Sequence, residues 1–181
     1  MTTLDDGFFE TAAGQTIAGA HRYLSAANLL RYSGEWGPKL QTPVLHLLSH
    51  GIELLLKYPL LMATASPRDV AIKYGHDLMA LWNDDQNQLL RSILLNRADE
   101  AWEEARLSGV WPNDSFDEDP RSVLLIALER LAYLHSRDSG FALRYVLTSD
   151  TVAPRPAFLL EVFGHVAEHG AMNPRSLVDA S

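Results

Sequence analysis

Two pairs of histidines stand at the spacing that brings both imidazoles to one face of an α-helix. His46 is followed by His50, and His165 is followed by His169. If the two helices met in a bundle core, the four imidazoles together with Glu53 and Glu161 would form a zinc or two-metal site. This metal site is the alternative, because two such pairs can arise by chance among seven histidines. We expect that the chain binds no metal and needs no cofactor.

A third candidate is Arg130, with His135 five positions later near the end of a predicted helix. An imidazole acts as a general base or acid, and a guanidinium holds a phosphate or stabilises its developing charge. This pairing suits cleavage of RNA without a metal. On an ideal helix the two residues lie about 140° apart, so they converge only if the helix loosens before His135 or if a partner chain contributes.

Several other classes of chemistry have no support in the sequence. A glycine-rich phosphate loop, a dinucleotide fingerprint and a serine elbow are all absent. The lack of cysteine excludes a disulfide scaffold, a thiolate zinc site and a cysteine nucleophile. The net charge of −8 disfavours broad attraction to nucleic acid or anionic membranes. The first ten residues show no basic start and no apolar run, so we expect no signal peptide and a cytoplasmic protein.

The sequence predicts that the segments that carry these residues are helices. Apolar residues recur every three or four positions from Phe9, with Asp5 and Asp6 as candidate N-caps. A second helix is expected from Pro43 to about Met62. It is apolar on nearly every side except for one polar stripe, whose residues are His46, His50, Glu53 and Lys57. This stripe argues against a membrane span, and its Glu and Lys are expected to form a local ion pair.

The whole pattern predicts an all-α protein, an antiparallel bundle of five or more helices. We expect a single domain over 1–181, with irregular segments near 32–42, 110–120 and 138–156. Within the last of these, Phe141 to Thr148 could also form a short strand, whereas the segment from Thr151 to Pro156 is expected to be irregular. Ser66 and Asp119 are expected to cap later helices. The predicted core contains Leu48, Ile52, Leu55, Leu81, Ile93, Val123, Ala127, Leu131, Phe158 and Val162.

Three segments together resemble a known family. They are the stretch from His46 to Lys57, the Lys-Tyr-Gly-His-Asp-Leu segment at 73–78, and Arg144-Tyr145. The combination resembles HEPN-like bacterial proteins, which are helical bundles. Many of these are metal-independent ribonucleases or toxin-system components, in which an Arg-x4-6-His motif from each of two subunits forms one site at the dimer interface. The resemblance therefore implies a homodimer that acts on RNA.

By this resemblance Arg130 would hold the scissile phosphate, and His135 would assist proton transfer as the RNA 2′-hydroxyl attacks. The sequence departs from the motif at Leu131, where a polar residue is usual, and at Arg137, where toxin-type members carry Tyr. The alternative is a non-catalytic binding or dimerisation module with a partner protein. His76 could be a functional surface residue, but we expect it to cap the next helix together with Asp77.

Overall fold

The computed structural model describes residues 7–33, 38–63, 66–140, 142–143 and 154–179. These residues form helices, turns and irregular segments, and none of them lies in a strand. The predicted all-α bundle is therefore confirmed. The α-helices are α1 Ala12–Arg31, α2 Pro38–Met62, α3 Pro67–Tyr74, α4 Leu78–Trp82, α5 Gln88–Ser108, α6 Pro120–His135, α7 Pro156–Leu159 and α8 His165–Met172. A π-helical turn, Leu160–Gly164, joins α7 directly to α8.

Side-chain caps begin several of these helices. The predicted caps Ser66 and Asp119 are confirmed, because each side chain accepts a hydrogen bond from a backbone N–H in the first turn of its helix. The first helix starts later than the sequence suggested. Its N-cap is Thr11, which accepts from the Gly14 N–H, whereas Asp5 and Asp6 lie outside the described residues.

The second helix is longer than predicted. It begins at Pro38 and continues through Pro43, which sits inside its N-terminal part. A proline there removes only one backbone hydrogen bond, so the apolar residues that follow keep the helix intact. The segment from Phe141 to Pro156 lies mostly outside the described residues, and the strand alternative stays untested. No described helix combines the length and the apolar character that a membrane span requires.

The core forms where α1 packs against α2, with α5, α6 and the α7–α8 segment around them. The two long helices approach closely at Gly51, where a Cβ atom would lie 2.6 Å from Cγ of Leu24. Nine of the ten predicted core residues are buried. The exception is Ile93, which is half-buried, because α5 turns Leu90, Leu94 and Ala98 towards the core instead.

An aromatic cluster fixes the segment between α5 and α6. Trp111 stacks on Phe116 with ring centroids 6.2 Å apart, and both rings pack edge-on against Trp102 of α5. Phe158 of α7 joins the same cluster. This loop is therefore anchored to the core, which brings α6 back across the bundle towards α2.

Candidate functional site

A single buried carboxylate connects three parts of the chain. Glu53 lies near the middle of α2 and is 2% exposed. Its Oε1 accepts a hydrogen bond from Nζ of Lys57 at 2.6 Å, which confirms the predicted ion pair. Its Oε2 lies 3.0 Å from Nδ1 of His76 and 2.9 Å from Nε2 of His135. The polar stripe of α2 is therefore a site that receives side chains from distant segments.

The turn between α3 and α4 places His76. Gly75 ends α3 with φ of 53°, a left-handed conformation that suits glycine, and its carbonyl accepts a hydrogen bond from Nζ of Lys57 at 2.8 Å. Asp77 then caps α4 by accepting from the Ala80 N–H. His76 takes no part in this cap, contrary to our expectation. Its imidazole turns towards Glu53 instead, and its side chain stays 49% exposed.

The last residue of α6 supplies the second imidazole. His135 is 2% exposed, and its two ring nitrogens both have partners. Nε2 faces Glu53, while Nδ1 lies 3.1 Å from Oγ of Ser49 on α2. The hydroxyl of Ser49 also donates to the His46 carbonyl at 2.9 Å. The end of α6 is thus fixed to α2 by a polar contact inside an otherwise apolar core.

The hydrogen bonds decide the charge of the central carboxylate. Burial alone would raise the pKa of Glu53, but hydrogen bonds from His135, Lys57 and His76 outweigh it and lower the pKa from 4.5 to about 2. An ionised carboxylate only accepts hydrogen bonds. The nitrogen that each imidazole directs at Oε2 must therefore carry a proton. In neutral His76 this leaves Nε2 as the basic nitrogen, on a side chain that solvent reaches.

Two open pockets meet at His76. The first, of about 490 Å³, is lined by Tyr23, Thr42, Pro43, His46, His50, His76, His135 and Leu143. In this pocket the ring of Tyr23 packs edge-on against His50 at 4.4 Å, and burial lowers the pKa of His50. The second pocket, of about 460 Å³, contains Tyr133 and Arg137 as well as the carboxylates of Asp77, Glu129 and Asp138.

The structure separates Arg130 from His135 within one chain. Arg130 is exposed on the outer side of α6, whereas His135 is buried against Glu53 on the opposite side. The helix stays regular as far as His135, so the two side chains keep the wide angular separation expected of an ideal helix. A catalytic role for this pair stays a prediction, and one chain alone does not bring the two groups to one site.

The alternative four-histidine metal site is not assembled either. His46 and His50 line the first pocket, whereas His165 lines a different pocket beside His21. His169 is exposed on α8. Among the described residues, one group of three or more potential ligands has its ligand atoms within 4.8 Å of one another, and that group is Glu53, His76 and His135.

Comparisons with protein-family models, with curated proteins and with solved structures found no match to this chain. The resemblance to HEPN-like proteins therefore stays a prediction that rests on the sequence segments themselves. Two of the residues behind it, Arg144 and Tyr145, lie outside the described residues.

The sequence predicted Glu53 only as part of the four-histidine metal site, and His76 only as a surface residue or a helix cap. Both left a signal, however. Glu53 is an ionisable residue inside a long apolar helix, where a buried carboxylate requires partners. His76 follows a glycine that ends a helix, which frees the backbone to direct the imidazole inward. What the sequence could not show is that the two residues meet.

Proposed function

We propose that this chain is a HEPN-like protein that cleaves RNA without a metal, and that His76 transfers the proton. The observation that supports this is a half-exposed imidazole whose Nδ1 is held by a buried, ionised glutamate. The hypothesis keeps the reaction implied by the family resemblance. It moves the proton-transfer role from buried His135 to His76, which a substrate could reach.

The Glu53–His76 pair has the features that a general base requires. The carboxylate fixes the tautomer, so that Nε2 of His76 has its lone pair available outside the protein core. When His76 takes up the proton of the attacking 2′-hydroxyl, the oxygen bonds to phosphorus as the bond from phosphorus to the 5′-oxygen breaks. The resulting imidazolium is stabilised by the negative charge of Glu53, 3.0 Å away, and returns the proton to the departing 5′-oxygen. Lys57 and His135 also contact the carboxylate of Glu53 and fix its position. The Glu53–His76 pair therefore needs little reorganisation during the reaction.

The pocket beside His76 also contains a cation that could hold a phosphate. Arg137 is exposed two residues after the end of α6 and lines the same pocket as His76, together with Tyr133. A guanidinium binds two phosphate oxygens at once, and an aromatic ring offers a face for a base. The carboxylates of Asp77 and Glu129 oppose a polyanion, and Arg137 is the one arginine among the described residues that line this pocket, so we expect weak binding of a short single strand with a shallow dependence on salt.

A cleavage assay in excess chelator tests the proposal. Purified protein should cleave single-stranded RNA and leave DNA of the same sequence intact, because only RNA carries the attacking 2′-hydroxyl. His76→Ala should lose about 10²–10⁴-fold in rate, since that is the usual contribution of a positioned general base. Arg137→Ala should weaken RNA binding. His165→Ala removes an exposed histidine from another pocket and serves as the matched control.

Three results would contradict the proposal. The first is an absence of cleavage by wild-type protein, and the second is full activity in His76→Ala. The third is a loss of activity in Arg130→Ala with no loss in His76→Ala, which would favour the original Arg130 and His135 motif instead. Circular dichroism of each variant separates a catalytic defect from unfolding. His135→Ala is a poor catalytic test, because it leaves Glu53 without a buried partner.

The second candidate function is a non-catalytic binding or dimerisation module. Ile126, Arg130 and Tyr133 share the outer side of α6, and both Ile126 and Tyr133 are exposed despite their size. An exposed face with large apolar side chains favours contact with another protein. Light scattering at micromolar concentration should show a homodimer under either hypothesis. Dimers without RNA cleavage, disrupted by Tyr133→Glu, would support the module.

A further inference from the structure

We propose that Glu53, His76 and His135 form a zinc site, in which one ion replaces the two protons now shared with the carboxylate. The three ligand atoms lie within 4.8 Å of one another and come from α2, the α3–α4 turn and the end of α6. Two imidazoles and one carboxylate are a ligand set that zinc uses in proteins when a fourth position stays open. The binding itself is independent of the proposed ribonuclease activity, and only its effect on catalysis rests on that function.

The distances between the ligand atoms require only a small adjustment. Oε2 of Glu53 lies 2.9 Å from Nε2 of His135 and 3.0 Å from Nδ1 of His76. Two ligands about 2.1 Å from a tetrahedral zinc ion lie about 3.4 Å apart, so each contact must lengthen by about 0.4–0.5 Å. His76 can lengthen its own contact, because it stands in a turn and is half-exposed, whereas the contact between Glu53 and His135 lengthens only if these two buried side chains shift. The third separation, between the two imidazole nitrogens, is no more than 4.8 Å.

The hydrogen bonds of Ser49 fit the metal-bound form. The Ser49 hydroxyl donates to the His46 carbonyl at 2.9 Å and lies 3.1 Å from Nδ1 of His135. Both bonds form together only if Nδ1 of His135 donates its own proton to Ser49. With Nδ1 protonated, Nε2 either binds a metal or makes His135 an imidazolium ion. A zinc ligand that donates its other ring N–H to a protein oxygen is the usual arrangement in metal sites.

The surroundings of the carboxylate determine how strongly an ion would bind. Glu53 is in hydrogen-bond contact with Lys57, His76 and His135, so its oxygens are already directed at these side chains. Lys57 holds Oε1 and is itself held by the Gly75 carbonyl, which leaves Oε2 as a single ligand atom. The positive charge of Lys57 weakens the site but does not block it. His76 and His135 both line the first pocket, which gives water a route to an open fourth position.

Zinc at this site would switch off the proposed catalysis. A neutral imidazole that binds zinc through Nδ1 carries its proton on Nε2, so the nitrogen that acts as the base in the metal-free protein has no lone pair left to accept a proton. The same three residues would therefore support proton transfer in the metal-free protein and metal binding when zinc is available.

The test is a zinc titration of the metal-stripped full-length chain, without RNA, by calorimetry and by competition with a chromophoric chelator. We expect one ion per chain, and cobalt(II) should give the strong visible absorption of a tetrahedral site. Affinity should fall at least tenfold in His76→Ala and in Glu53→Gln, and it should not change in His165→Ala. Since His76 is half-exposed, His76→Ala should remain folded and keeps the test valid if Glu53→Gln unfolds.

The proposal is overturned if wild type and His76→Ala bind zinc equally, or if wild type binds none. Loss of binding in His50→Ala alone would place the ion on the His46–His50 pair and would also overturn it. RNA cleavage by metal-stripped protein tests the proposed function separately, because that assay contains no zinc. Addition of one equivalent of zinc should then abolish cleavage by wild type.

Discussion

Replacement of Glu53 by glutamine should destabilise the fold in a pH-dependent way. Glu53→Gln keeps the size of the side chain but removes the negative charge that Lys57, His76 and His135 share. The amide can present an acceptor oxygen to one side only, so its NH2 group must face an N–H donor on the other. A buried hydrogen-bonding group then loses its partner, which is among the costlier single changes in a protein core.

The magnitude follows from the pKa of Glu53. The folded structure lowers this pKa from 4.5 to about 2. At about 1.36 kcal/mol per pKa unit, the ionised carboxylate contributes about 3 kcal/mol to the free energy of unfolding. Because the folded pKa is the lower one, this contribution is fully present above about pH 4.5. It is lost progressively as the pH falls from 4.5 towards 2.

The assay is urea unfolding followed by circular dichroism and tryptophan fluorescence, at several pH values between 7 and 3. At pH 7 the variant should be less stable than wild type by about 3–5 kcal/mol, and the gap should narrow as the solution is acidified. Glu103→Gln is the matched control, since it removes the same charge from an exposed ion pair with Arg106. Its stability should stay close to that of wild type throughout.

Equal stability of Glu53→Gln and wild type at pH 7 would refute the reasoning, because the buried carboxylate would then make no net contribution to the free energy of unfolding. A gap that stays constant between pH 7 and pH 3 would refute the pKa argument specifically. In that case the loss would come from packing rather than from the charge.

Three further predictions concern the core. Leu55→Ala should lower the free energy of unfolding by about 2–5 kcal/mol in urea titrations, because Leu55 is fully buried, whereas Leu107→Ala, at an exposed position, should have little effect. Gly51→Ala should lower the free energy of unfolding by about 1–3 kcal/mol, because the new methyl group forces α1 away from α2. Gly164→Ala has open space around the new methyl group and should instead raise the thermal midpoint. Asn87→Ala should destabilise by about 1–3 kcal/mol, since its side chain satisfies the carbonyls of Leu56 and Leu81 inside the core, and equal thermal midpoints would contradict this.

The sequence by itself determined the class of fold and most of the core. Apolar residues at three- and four-residue spacings specify which side of each helix is buried, because the period of a helix is a local property. Caps such as Ser66 and Asp119 are local as well, since each side chain bonds to the backbone within three residues. The polar stripe of α2 could also be predicted, because its residues follow the same helical spacing.

The tertiary structure alone decided which residues meet at that stripe. His76 and His135 reach Glu53 across 23 and 82 positions of the chain, and no periodicity in the sequence records such a contact. The angle at which α6 packs on α2 decides that His135 faces the core while Arg130 faces solvent. A buried carboxylate must find partners, but only the packing of the helices determines which side chains are within hydrogen-bonding distance.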